Sequence, residues 1–399
     1  MNALDSKKLA VLGGAPAFEQ PLPVGQLYFP SWDAYEARFR DIFARQYYTN
    51  HGPLVQELER RLEVFFGVKH VICVTNATIG LIMAAESLGL KGKVITPAFT
   101  FIATAQSLEW ANVQPVFCDV DPLTHCVTPE TIEPHLDAEV SAILAVNLWN
   151  GSCDPATLQA FAEKSGVKLF FDSAHSFGCE VGGVPVGGFG DVEVFSFHAT
   201  KVFSSAEGGC LTTNNDEVAM RLRNIRSSYG AGAPISVTKT SNGRMSEAQA
   251  AIGLMSLDDF PNLVVRNKEI FSAYQACIRQ IPGLSLLEPM NVSKTNYQYI
   301  VVDVDAEVFG VSRDHLVQAL KAENIIARRY FYPGAHRCPP WREQNLTSGY
   351  SLPITESLCE RVMQLPSGAL ISDEHVRKIG ELLKMISEKA LDVRKALES

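Results

Sequence analysis

The sequence predicts an α/β protein: a large, doubly wound, mainly parallel sheet domain over residues 1–255, followed by a smaller C-terminal α+β domain over residues 256–399. Three observations carry this. Helical and strand-like segments alternate along the first half, the later strand-like runs are apolar almost without a break, and the pattern changes after Pro261. Serial βα units build an open parallel sheet, and strands covered on both faces lose the alternation of a half-exposed sheet.

The elements follow in order. Gln56 to Phe66 places apolar residues at 58, 62, 65 and 66, a helical spacing, and VKHVICVTNAT then reads as a β-branched strand running into a turn. Ile79 to Leu88 is helical, Val94 to Thr96 is a strand ending at Pro97, Phe101 to Trp110 is helical, and Pro115 to Asp119 is the next strand. Ser141–Asn147 and Val167–Asp172 are buried strands flanking the helical PATLQAFAEKSG. Beyond Pro261 come a long helix (NLVVRNKEIFSAYQACIRQI), a strand pair around Tyr297 to Val304, and helices near Ser312–Glu323 and Ser372–Lys389.

The 399 residues, 46% hydrophobic and 20% charged, suffice for two domains of ordinary globular composition and exclude global disorder. Asp plus Glu number 44 against 35 Lys plus Arg. The resulting net charge of −9 argues against nucleic acid or an anionic membrane as partner. The absence of a long apolar run and of a signal-like start suggests a soluble, cytoplasmic protein. Nine scattered cysteines, an odd count without a C-x-x-C pair, suggest reduced buried thiols and give no reason to expect a metal.

In a sheet of this kind ligands sit beyond the carboxyl ends of the strands, so the polar residues there are the candidates for chemistry. Asn76-Ala77-Thr78 opens a helix directly after a strand and can offer free N–H groups to a phosphate, although Asn76 or Thr78 would equally serve as a plain N-cap. Asp172 ends an apolar strand, where it either caps a turn or holds a cation. Lys201 follows another apolar strand and precedes a Gly-rich turn; apolar surroundings would leave its amine nucleophilic enough for a Schiff base, while a surface lysine is the plain alternative. Phosphate seat, carboxylate and amine, in that order, are the three handles that pyridoxal 5′-phosphate requires.

At this point the chain resembles the DegT/DnrJ/EryC1/StrS aminotransferases over nearly its whole length. The resemblance rests on PAFTFIATAQSLEWANVQPVFCDVD, DSAHSFGCEVGGVPVGGFGDVEVFSFHATK, SNGRMSEAQAAIG and LPITESLCERVMQLPSG, four motifs in the family's order. It implies a fold-type I, pyridoxal-phosphate-dependent enzyme acting as a homodimer with active sites shared between subunits. It implies that Lys201 is the Schiff-base lysine, Asp172 the partner of the ring nitrogen, and His175 and Phe101 neighbours of the ring. Ala77, Thr78 and Ser196 match phosphate-contacting positions, and Asn242 matches an asparagine reaching the phosphate from the partner subunit.

Dehydratases of the family carry histidine where Lys201 stands, so the lysine favours amino transfer. Within ARRYFYPGAHR, the residues Arg328, Tyr330 and His336 are candidate contacts for a diphosphate and sugar. Asn76-Ala77-Thr78 departs from the family's frequent Ser-Gly-Thr, Asn147-Leu148-Trp149-Asn150 from His-Leu-Tyr-Gly, and Gly243 from an aromatic residue; these changes bear on the sugar pocket. The resemblance points to transfer from L-glutamate to a nucleoside-diphosphate-linked 4-keto-6-deoxy sugar, with dTDP the expected carrier. The alternatives are a 3-keto sugar or cyclitol acceptor, or a cofactor-binding regulator without turnover.

Overall fold

The computed structural model describes residues 8–227, 235–343 and 351–398. Helices α1 (Trp32–Arg45) and α2 (Pro53–Phe66) lead into the sheet domain. Its elements are β1 (His70–Val74), α3 (Ala77–Ser87), β2 (Lys93–Pro97), α4 (Ile102–Trp110), β3 (Gln114–Cys118), α5 (Pro129–Ile132), β4 (Val140–Val146), α6 (Pro155–Ser165) and β5 (Lys168–Asp172). A small hairpin, β6 (Glu180–Val181) and β7 (Val184–Pro185), precedes β8 (Val192–Ser196), β9 (Gly209–Thr213) and α7 (Asp216–Arg226).

Seven of these strands form one sheet in the order β1-β9-β8-β5-β4-β2-β3. The four pairings from β8 through β5, β4 and β2 to β3 are parallel, as the apolar runs predict. The exception is β9, antiparallel to both β1 and β8. Its sequence, GCLTT, reads as the end of a Gly-rich turn, yet all five residues are buried between two neighbours. Helices cover both faces: α2 packs with Phe177, Phe195 and Phe203 on one side, and α3 and α7 close on Val74, Leu144 and Val194 on the other.

The long helix departs from expectation. It does not begin after Pro261 but runs as α8 (Glu247–Ile278) with Pro261 inside it. The start signal lies upstream, in a capping box: Ser246 Oγ accepts from Gln249 N at 3.2 Å and Gln249 Oε1 accepts from Ser246 N at 2.8 Å. The expected division between residues 255 and 256 therefore lies within one continuous helix.

Beyond α8, a smaller antiparallel sheet has the order β10 (Leu284–Leu286), β11 (Ile300–Val304), β12 (Val362–Leu365). Where the sequence suggested a strand pair, only Ile300–Val304 is strand; the preceding Asn296–Tyr299 run is a buried strap. Helices Arg313–Ala322 and Asp373–Glu388 occupy the expected positions. Their core includes Leu9, Phe18 and Leu22, so the N-terminal segment packs with the C-terminal unit. No described helix is long and apolar enough to cross a membrane. All nine cysteines are free, seven of them buried.

Candidate active site

The carboxyl ends of β1, β2, β4, β5 and β8 open onto one cavity of about 420 Å³, and Arg328, Tyr330 and Phe331 of the smaller unit close its far side. Ala77, Thr78, Phe101, Asp172, His175, Ser196, Lys201, Arg328 and Tyr330, residues some 250 positions apart at the extremes, meet there. Asn242 and His336 do not.

At the end of β1, the Asn76 turn is an N-cap. Asn76 caps α3, its Oδ1 accepting from Ile79 N at 2.9 Å. The cap leaves the N–H groups of Ala77 and Thr78, in the first turn of α3 beside the cavity, among the helix's free donors. Gly209 of β9 lies directly beneath: a Cβ there would come within 2.9 Å of Ala77 N and 2.6 Å of the Phe195 carbonyl oxygen.

Asp172 terminates β5 and is buried. Its Oδ2 accepts from Thr104 Oγ1 at 2.8 Å and its Oδ1 from Ala174 N at 3.2 Å. Burial pushes its pKa up, and the two donors and the positive charge of Lys201 oppose that rise. His175, in the turn three residues on, is held far below the ordinary imidazole value by burial and is neutral. Its Nδ1 is buried without a hydrogen-bond partner in the protein.

Lys201 follows β8. Burial depresses its amine to about 8, with the carboxylate of Asp172 acting in the opposite direction and Arg328 reinforcing the fall. Nζ rests 2.8 Å from Tyr299 Oη. His198, three residues earlier, also borders the cavity but turns back on Thr200 and lies 3.6 Å from Glu207. Phe101, 56% exposed at the start of α4, forms part of the rim.

From the smaller unit, Arg328 is fixed by a two-way backbone exchange with Gln364 of β12, at 3.0 and 2.8 Å, and its Nη1 donates to Tyr330 Oη at 3.1 Å. His336 lies away from the cavity. The chain turns at Pro333-Gly334 and carries it into a buried 3-10 turn, near Phe117 and the Trp341 cluster and 3.5 Å from Glu356. Asn242 is exposed on this chain, in a segment tied to β1 by the Thr75 N–H donating to the Gly243 carbonyl at 2.8 Å.

Thr104 and Tyr299 reach the site's residues and were not read as such from the sequence, whereas Asn147 was read only as one of the departures bearing on the sugar pocket. Thr104 sits in an apolar helical stretch, where a single buried threonine on the face toward β5 was the available signal. Asn147 lines the cavity and joins a chain of bonds: its Nδ2 donates to Ser173 Oγ at 2.9 Å, and Ser173 Oγ donates to Glu193 at 2.6 Å.

A profile of the DegT/DnrJ/EryC1/StrS aminotransferase family matches residues 33–384. The chain belongs to this family. It is 37% identical over 316 residues to the dTDP-4-amino-4,6-dideoxy-D-glucose transaminase of Shigella dysenteriae, covering 79% of this chain and 86% of that one. The Escherichia coli transaminase of the same name is 32% identical over 370 residues, 92% and 98% of the two chains. A crystal structure of DesI in the presence of its TDP-sugar product superposes with a TM-score of 0.94 at 37% identity, over 100% of both chains.

Aminotransferases of this family depend on pyridoxal 5′-phosphate. The cavity of this family member fits that cofactor chemically: free helix N–H groups suit a phosphate, a buried carboxylate suits a ring nitrogen, and a depressed amine suits an aldehyde. His175 lines the same cavity, beside the carboxylate and the amine.

Proposed function

We propose that the protein transfers an amino group from L-glutamate to a 4-keto-6-deoxy sugar carried on a nucleoside diphosphate, with dTDP-4-keto-6-deoxyglucose as the expected acceptor. The observation that carries this reading is the convergence of Lys201, Asp172 and the free N-terminus of α3 on one cavity with Arg328 at its far side. The names of the Shigella and E. coli relatives support the acceptor.

In this reading Lys201 would bond the cofactor aldehyde, Asp172 would hold the ring nitrogen, and Phe101 and His175 would neighbour the ring. Ala77, Thr78 and Ser196 hold the phosphate, joined by Asn242 of a second subunit in a homodimer. The exposure of Asn242, and of Trp32, Phe43 and Tyr48 on and beside α1, supports a second copy covering this side. Nine unpaired thiols support a cytoplasmic setting.

When bound, the cofactor supplies an aldehyde and a cationic ring able to take up an electron pair. The protein's own residues do the rest. Thr104 and the Ala174 N–H hold a negative charge on Asp172 at the bottom of the cavity against the cost of its burial. Lys201 Nζ would be the basic atom that takes the donor's α-proton and returns it; an amine near 8 is suited to both roles at neutral pH. Arg328 presents a forked guanidinium suited to phosphate oxygens.

Lys201→Ala should abolish turnover, the absorbance of the lysine-bound cofactor and the borohydride-trapped adduct; full activity in that variant would remove the mechanism. Incubation with glutamate and a panel of 3-keto, 4-keto and inosose acceptors, with the aminated carbon identified by NMR, tests the substrate.

A further inference from the structure

Lys201 and Asp172, which both line the cavity, attract one another, yet no ion pair among the described residues joins them. The amine goes instead to a neutral partner, Tyr299 Oη at 2.8 Å. Tyr299 is buried, and burial holds its phenol far above the usual range, so it stays un-ionised at any working pH. A neutral phenol has both faculties the amine needs: its oxygen accepts from an ammonium, and its O–H donates to the lone pair of a free amine.

The position of Tyr299 is heavily determined. Asn150 brackets its backbone, with Tyr299 N donating to Asn150 Oδ1 at 2.8 Å and Asn150 Nδ2 donating to Tyr299 O at 3.0 Å. Next to it, Gln298 accepts from Val202 N at 2.9 Å and donates to the His175 carbonyl at 3.0 Å, tying the strap to the loops of both Lys201 and Asp172. The ring packs on His175 with centroids 4.2 Å apart. Asn150 itself has φ 67°, a left-handed conformation that asparagine tolerates better than most residues and glycine better still. Asparagine therefore occupies a glycine-compatible site and adds two bonds that glycine cannot make.

We propose that Tyr299 is a positioning residue that receives the Lys201 amine whenever it is not bonded to the cofactor, and that Asn150 fixes where Tyr299 waits. This rests on reading Lys201 as the cofactor-bonding lysine. Holding the amine on Tyr299 keeps it from closing onto Asp172, whose charge is needed elsewhere, and returns it to one place in each half of the cycle. The other charged or titratable groups facing the amine are Asp172, His175, Arg328 and Tyr330, with His198 and Glu207 bordering the same cavity.

The test uses the full chain stripped of cofactor. Competitive acetylation with acetic anhydride across the pH range, read by peptide mass spectrometry, gives the titration midpoint of Lys201. Tyr299→Phe removes the acceptor for the ammonium and should lower that midpoint by about one pH unit. Asn150→Gly keeps the left-handed backbone and loses only the bracket, so it should shift the midpoint in the same direction by less. A purely structural role would lower Tm and leave the midpoint in place. Unmoved midpoints in both variants overturn the proposal, and an unmoved midpoint in Asn150→Gly alone does so if Tyr299→Phe fails to fold. Loss of the borohydride adduct in the wild type would instead overturn the reading of Lys201, a separate result.

Discussion

Thr104 donates to Asp172 across the gap between α4 and β5 at 2.8 Å, the shortest hydrogen bond made by the carboxylate. It is one of two donors that oppose the rise burial imposes on the acid's pKa. Thr104→Val keeps the shape and removes the donor, so the Asp172 pKa should rise and turnover fall by about tenfold, a loss of about 1.4 kcal/mol in transition-state stabilisation. Asp172→Asn, which removes the charge itself, should cost about two to three orders of magnitude. Steady-state kinetics with glutamate across pH checks both; equal effects of the two variants would contradict this account.

Glu193 of β8 is buried, and burial raises its pKa to about 7 although Gly187 N, Phe189 N and Ser173 Oγ all donate to it. An acid whose pKa is higher folded than unfolded costs nothing below about 4.5, where both states hold the proton. Stability is lost as pH rises from there to about 7, above which the full penalty, roughly 2–4 kcal/mol, persists. Glu193→Gln should therefore raise Tm above pH 7 and flatten its fall between pH 4.5 and 7, as followed by calorimetry.

Gly209 leaves no room for a side chain beneath the first turn of α3. Gly209→Ala must push either Ala77 N or the Phe195 carbonyl, and β9 is fixed on both sides. Cofactor affinity should fall by about tenfold or more, measured as the dissociation constant by equilibrium dialysis. A loss of stability with unchanged affinity would argue against the phosphate seat.

Arg328 and His336 lie eight residues apart but in different surroundings. Arg328→Ala should raise KM for the nucleotide sugar by about tenfold, the worth of one charge-assisted contact. His336→Leu should leave KM unchanged and alter only thermal stability. A KM effect at His336 would restore it to the site.

Much of this was legible beforehand because parallel strands and the residues at their ends leave local marks. Asp172 and Lys201 each follow an apolar run, and the position of a residue at a strand's carboxyl end largely decides what it faces. The residues that were missed are recruited by tertiary contact. Tyr299 comes from a strap whose apolar alternation mimics a strand, Thr104 from a helix with no polar stripe, and β9 from a sequence beginning in glycine. His336 was grouped with Arg328 because they share a basic, aromatic stretch, and composition does not reveal a turn that gives its two halves different surroundings.

At its first turn α8 bonds the backbone of the loops after β1 and before β9, Gln249 Nε2 donating to the carbonyls of Glu207 at 2.7 Å and Thr75 at 3.3 Å, and its last turns lie in the core of the C-terminal unit. Because one uninterrupted rod is shared, neither half owns a complete set of contacts. Heating should produce a single calorimetric endotherm, and polypeptides expressed separately as 1–255 and 256–399 should each fail to fold.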